Sequence, residues 1–209
     1  MQNGTATRSK VADTMAPMSK RAQMAEVRRE AVLEATAALL DEVGVSSLTI
    51  RQVAERAGVA QGSVFLYAES KADLVNQVYG LRIAEHWHTL LDSLADERPL
   101  DRVEAFYLGC VDAFYDDLDN VMAFYQTMAN SIGTGLPMVD KLNARIHAIL
   151  VEAEQAGDLR AGVDVDVLEY SYEGLYANVI RLSGAGKSRE ETRRIIGASM
   201  TQLRDGISA

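Results

Sequence analysis

Residues 47–74 read SLTIRQVAERAGVAQGSVFLYAESKADL, and their local signals specify three helices in close succession. Thr49 is followed three residues later by Gln52, a capping box in which the two residues satisfy each other's free backbone N–H groups; Leu48 and Val53 flank it as a hydrophobic staple. A helix therefore starts at Ile50. It ends at Ala57, because Gly58 enters the left-handed backbone region without a Cβ penalty. Val59 turns inward, and a second helix covers residues 61–67 with Val64 and Tyr67 on its inner face. Ser70 with Asp73 caps a third, which runs on through Leu74, Val78 and Leu81.

Two short helices joined by a three- to four-residue turn containing glycine describe a helix-turn-helix. Ala54 is small where the two backbones would cross. An αα-corner inside any helical protein is the alternative; Ala54, Gly58, Val59, Val64 and the caps together favour a DNA reader.

The 209 residues allow one compact unit, or one with a small second, and 48% hydrophobic with 24% charged residues excludes a disordered or fibrous chain. No apolar run reaches the ~18–20 residues needed to cross a bilayer, and the opening MQNGTATRSK has no apolar signal core, so a cytoplasmic protein without a membrane partner is expected. A lone Cys110 rules out an internal disulfide or a cysteine-based metal site and suits a reducing compartment. The net charge of −9 opposes DNA binding until it is divided. Residues 1–80 hold nine Lys and Arg against nine Asp and Glu, while residues 81–209 hold twelve against twenty-one. A phosphate-facing module needs local positive charge only, so the split implies two modules with different partners.

Outside the central stretch, residues 1–24 lack periodicity and are expected as a disordered tail, whose Arg8, Lys10, Lys20 and Arg21 are more simply solvated than bound. From Ala25 a helix is expected, with Val32, Ala35, Thr36, Leu39, Leu40 and Val43 on one face and Gly44 at its end. Further helices fall at about 71–95, 100–117, 120–131, 137–156, 165–184 and 188–206, punctuated by Pro99, Gly133, Gly135, Pro137, Gly157, Gly162 and Gly184-Ala185-Gly186. The expected fold is all-α, with a DNA-binding domain over 25–72 and a helical domain over 73–209.

The stretch resembles the N-terminal domain of the TetR family of bacterial transcriptional regulators over about residues 27–80. The resemblance is carried by Gly44, Leu48-Thr49, Val53-Ala54, Ala57-Gly58-Val59, Phe65-x-Tyr67 and Ser70-Lys71-x-x-Leu74. It implies that Thr49 and Lys71 hold phosphates at helix N-termini, and that Arg51 and Gln61 face base edges. Gly62 then allows close backbone approach, Ser63 bonds phosphate or base, Phe65 stands where a tyrosine is common, and Tyr67 supplies a hydroxyl. Ala60 stands where a capping serine is frequent, and Ala68 where a phenylalanine is common.

The resemblance also implies that the second module binds a small inducer and forms a homodimer on double-stranded operator DNA. Candidate ligand residues are Trp87, Phe106, Cys110, Phe114, Tyr125, Met128, Tyr172 and Tyr176, although such stripes serve equally as plain core. Candidate interface residues are Leu168, Leu175, Val179 and Leu182 on one late helix and Ile196, Met200, Leu203 and Ile207 on the last, which a two-fold axis would pair into a four-helix bundle; packing inside one chain is the alternative. Other signals fail. Gly184-Ala185-Gly186-Lys187-Ser188 resembles the end of a P-loop, but Arg181 occupies the place of the first glycine. His86 and His88 point to different sides of a helix, Asp112, Asp116, Asp117 and Asp119 read as a solvated helix end, and no nucleophile–base pair appears. If one of those carboxylates faced a cavity it would favour a cationic ligand. No cofactor, metal or catalytic residue is expected. The leading function is a ligand-responsive repressor, against a helical enzyme or binding protein whose first three helices merely pack.

Overall fold

Ser19 accepts a hydrogen bond from the Ala22 N–H and so opens α1 (Lys20–Ser47), ahead of the start expected at Ala25. The computed structural model describes the backbone of residues 19–129 and 137–208 and the side chains of 19–126 and 140–208. The tail expected over 1–24 therefore lies outside the described residues as far as 18, and residues 20–24 are helix, because a serine cap precedes a run of good helix formers. Gly44 breaks α1 at φ 75°, ψ 172°, after which three more residues turn helically and the Val45 N–H reaches Asn120 Oδ1 at 2.8 Å.

α2 (Ile50–Ala57) has the anticipated box: Thr49 and Gln52 bond each other's backbone N–H, and Gly58 closes the helix at φ 66°. Leu48 and Val53 are buried beneath it. α3 (Gln61–Val64) is one turn, shorter than the helix expected over 61–67. Ala60 offers no capping oxygen, and residues 65–67 continue through i→i−3 bonds, Leu66 N–H to Ser63 and Tyr67 N–H to Val64.

The long rod that follows contains a surprise. It comprises α4 (Lys71–Val75), a π turn (Asn76–Gly80) and α5 (Leu81–Ser93). The wider turn shifts the helical phase, so the buried face runs through Leu74, Val75, Val78 and Tyr79 and resumes at Ala84, Trp87 and Leu91. Leu81, through which this helix was expected to continue, is helical but 57% exposed.

Five more helices complete the described chain: α6 (Pro99–Asp116), α7 (Leu118–Ala129), α8 (Pro137–Gln155), α9 (Val165–Gly184) and α10 (Arg189–Ile207). α6 is the centre, packed against α5, α8, α9 and α10, and buries Val103, Phe106, Tyr107, Cys110, Val111 and Phe114. Among the described residues the sole β feature is an isolated bridge between Leu159 and Ser208, and no helix is long and apolar enough to cross a membrane.

One expectation is corrected by packing. Leu168, Val179 and Leu182 on α9 and Ile196 and Met200 on α10 are buried within this one chain, holding the two helices onto each other and onto α6. An apolar stripe at helical spacing marks a buried face, and here α6 and α8 cover it rather than a second protomer.

The Gly44 joint generates a stability test. Its φ,ψ pair lies in a region reserved for glycine, and a Cβ there would stand 2.7 Å from Asn120 Oδ1. Gly44→Ala should cost about 1–3 kcal/mol and lower the thermal midpoint by several degrees. Gly62→Ala, in a helical turn with nothing within 4 Å of the new methyl, should leave the midpoint in place or raise it.

Candidate functional site

The short α3 stands out from the body on a rigid base. The capping box and Gly58 fix α2 at both ends, and Arg56 forms a two-armed ion pair with Glu42 of α1, 2.6 Å on each side. Val64 and Ala68 anchor the reader segment in the core, leaving Gln61 and Gly62 exposed, Phe65 at 50% and Leu66 at 75%. Leu66 was not among the expected contacts; its exposure beside Phe65 places two apolar groups where thymine methyls or sugars could meet them. Ser63 and Tyr67 are half-buried at the edge.

Three expected DNA residues are already engaged. The Thr49 hydroxyl accepts from the Gln52 N–H and donates to Gln52 Oε1, Arg51 Nε bonds Glu55 at 2.8 Å, and Lys71 Nζ donates to the Ser46 carbonyl at 3.2 Å. The Arg51 pair is exposed and weak enough to exchange for a nucleic-acid partner. Lys71 keeps two further N–H donors. Burial lowers its pKa.

Beneath the reader lies a two-lobed cavity between α5, α6 and α9. One lobe, about 290 Å³, is lined at its polar end by Tyr79, Arg82, His86, Asp116 and Asp117. The other, about 200 Å³, adds Phe106, Tyr107, Leu142, Asn143 and Glu173. Trp87, Cys110, Phe114, Tyr125 and Tyr176 line both. Six of the eight expected ligand residues thus meet here. Met128 lies outside the described side chains. Tyr172 is a correction: it is fully buried, stacked 6.0 Å from Tyr107 with its hydroxyl on Glu104, and lines neither lobe. Spacing put it on the same face as Tyr176, but the neighbouring helices close over it. Tyr79 and Glu173 escaped sequence reasoning, while Asp117 reads from sequence as part of a solvated helix end and Tyr107 as one of an apolar stripe that serves equally as core; the phase shift at the π turn hid Tyr79, and nothing local marks Glu173 as facing a void.

The cavity phenols are held neutral. Burial drives the hydroxyls of Tyr79, Tyr107 and Tyr176 well above their ordinary range, with Asp117 adding to the effect on Tyr79 and Glu173 to that on Tyr107. Burial likewise pushes Tyr125 up to about 12, and Tyr176 donates to its oxygen. These are hydrogen-bonding groups on apolar bodies, the composition of a small-molecule pocket.

The profile of bacterial regulatory proteins of the tetR family matches residues 32–78, the helices that build the reader. The HTH-type transcriptional repressor KstR2 of Mycobacterium tuberculosis is 30% identical over 162 residues, 72% of this chain and 78% of that protein. The chain belongs to the TetR family. The HTH-type transcriptional regulator BetI of Serratia proteamaculans is 33% identical over 92 residues, 43% of this chain and 46% of BetI, so the match spans under half of that relative's length. The solved structure of RolR in complex with resorcinol shares the fold at a TM-score of 0.64 and 18% identity, covering 88% of this chain and 90% of RolR.

In this TetR-family chain the cavity and the reader are joined by hydrogen bonds. Tyr79 donates to Asp117 Oδ2, Asn120 Nδ2 donates to Asp117 Oδ1 at 2.9 Å, and Asn120 Oδ1 receives the Val45 N–H at the end of α1. Arg82 grips Asp41 of α1 at 2.6 and 3.1 Å. From the same π turn, Gln77 reaches the other way, donating to the Tyr67 carbonyl at 3.0 Å.

The remaining sequence signals resolve separately. Gly186 turns the chain after α9, Lys187 pairs with Glu191, and Ser188 caps α10, so the P-loop likeness is an interhelical turn. His88 contacts Arg145 while His86 borders the cavity. Asp112 and Asp116 pair with Arg193 and Arg189, so the aspartates are not one site, and Asp117 is a hydrogen-bond hub rather than part of a solvated end. Among the described residues no three His, Cys, Asp or Glu groups are placed to hold a metal.

Cys110 supplies a probe of cavity integrity. It is buried and its thiol is pushed far up by that burial. A disulfide reagent at mildly alkaline pH should label the folded protein slower than the guanidinium-unfolded chain by roughly two orders of magnitude or more; equal rates would show that the cavity floor is open.

Proposed function

We propose that this protein is a ligand-responsive transcriptional repressor that binds a palindromic operator as a homodimer in the cytoplasm. The observation that carries this is the presentation of Gln61, Gly62, Phe65 and Leu66 on a protruding turn whose supporting helix is hydrogen-bonded at both ends. A single reader makes few base contacts; two on a dyad address successive major grooves ~34–36 Å apart or at multiples of it.

The dimer uses the outer faces of α9 and α10, since their inner faces are already covered. Val167 and Tyr170 are 61% and 73% exposed, and Gly174 on α9 and Ala198 on α10 are small and exposed, allowing close approach of a second copy. Leu175 and Leu203, half-buried, border those faces.

Release follows from two conformers. A ligand that fits the cavity better when the rod carrying Tyr79, Arg82 and Trp87 is displaced shifts the population toward that conformer, and the bonds to Val45, Asp41 and Tyr67 carry the displacement to the readers. A ~100-fold loss of operator affinity requires only about 2.7 kcal/mol of differential binding.

A salt-titrated gel shift on DNA flanking the protein's own gene tests the proposal. Sequence-selective retention is expected; its absence at every salt concentration would leave the first three helices as packing elements only. Gln61→Ala should relax preference at one base pair by about 1–3 kcal/mol, while Lys71→Ala should weaken all sequences alike and reduce the salt slope by about 1. If both altered specificity alone, the assigned roles would be wrong. In sedimentation, Tyr170→Glu and Gly174→Glu should each drive the protein toward protomer mass, because an isologous interface meets every substitution twice.

A further inference from the structure

We infer that the cavity selects an apolar, ring-bearing molecule with one positive charge, and that Glu173 receives its cationic group. This deepens the proposed ligand-responsive function and rests on the cavity being the ligand site.

The charges lining the two lobes decide the class. In the larger lobe Arg82 is already bound by both oxygens of Asp41, and Asp116 is paired with Arg189 at 2.5 Å. Asp117 receives the Tyr79 hydroxyl and the Asn120 amide. In the smaller lobe Glu173 is the one charged side chain in the lining; it acts through space on the Tyr107 phenol, and among the described residues it has no hydrogen bond or ion pair. The same lobe is walled by Phe106, Tyr107, Tyr176 and Trp87, with the rings of Tyr107 and Tyr176 centred 5.8 Å apart.

Three ligand classes can be compared against this lining. An anion would find Arg82 already held by Asp41, with the His86 imidazole the one basic group left in the larger lobe, and in the smaller lobe it would face Glu173 directly. A neutral apolar molecule would displace water from the Glu173 carboxyl group without replacing its hydrogen bonds, which is unfavourable. A cation supplies a partner to Glu173, and the aromatic rings lining the same lobe attract positive charge through their quadrupoles. Glu173 brings the one charge to a lobe otherwise lined mainly by aromatic and aliphatic side chains, so a ligand matched to it carries one cationic group on an apolar, ring-bearing body.

The test uses Trp87, the only tryptophan in the chain, which lines both lobes and reports occupancy by its emission. Three probes of matched shape are titrated into the full-length protein: para-tert-butylbenzylammonium, para-tert-butylbenzyl alcohol and para-tert-butylbenzoate. The ammonium probe should bind roughly tenfold more tightly than the alcohol, with the benzoate weakest, the order expected when one cation–π and charge contact is gained. E173Q should lower the ammonium affinity about tenfold and erase that order. Equal affinities for ammonium and alcohol, tightest binding of the benzoate, or an ammonium preference that survives E173Q would each overturn the assignment while leaving the cavity a ligand site. Failure of all three probes to alter Trp87 emission would overturn the assignment and the ligand-site reading together, whereas operator binding in the gel shift would stand or fall independently.

Discussion

Asn120 uses both ends of its amide at the joint between the two modules. Its oxygen takes the Val45 N–H left free where Gly44 breaks α1, and its nitrogen holds Asp117 beside the cavity. A buried N–H without that partner would cost about 1–3 kcal/mol, so the break in α1 and the position of α7 are coupled. Gly44 is required for the same contact, because the space a Cβ would need is occupied by the Asn120 oxygen. The orientation of everything from α2 to α3 relative to the cavity passes through this joint and the rod beside it.

That rod owes its double allegiance to the π turn. In a regular helix, residues two apart point to different sides, and here Gln77 turns to the reader's Tyr67 while Tyr79 turns to Asp117 and the cavity. The wider turn also rotates α5 so that Ala84, Trp87 and Leu91 face α6 and α8, leaving Leu81 outside. π turns have poorer hydrogen-bond geometry than α-helix and persist where tertiary contacts hold both flanks, as Val78 and Tyr79 do in the core.

Electrostatics separate the two modules further. Residues 1–80 balance their charges, and the excess of acidic groups lies beyond them. In the proposed function an acidic second module repels phosphate and leaves α3 as the face that DNA approaches. Its interior follows a different rule: burial keeps the phenols neutral, Arg82 is consumed by Asp41, and among the described residues Glu173 has no hydrogen bond or ion pair.

The local helices from α2 to α4 were legible because their signals act over short range. A capping box, a glycine at a helix end and a serine cap act within four residues, and the structure has each where the residue types put it. The helix bounds of the second module were equally readable from proline, glycine and apolar spacing. Periodicity shows that a helix has an apolar face but carries no information on what covers it. Leu168, Val179, Leu182, Ile196 and Met200 therefore looked like an interface and proved to be core, and Tyr172 looked like a cavity wall and proved to be packed shut. The positions of Tyr79, Asp117 and Glu173 around one void arise from helices far apart along the chain brought together by packing, with a one-turn change of helical pitch that no short pattern announces.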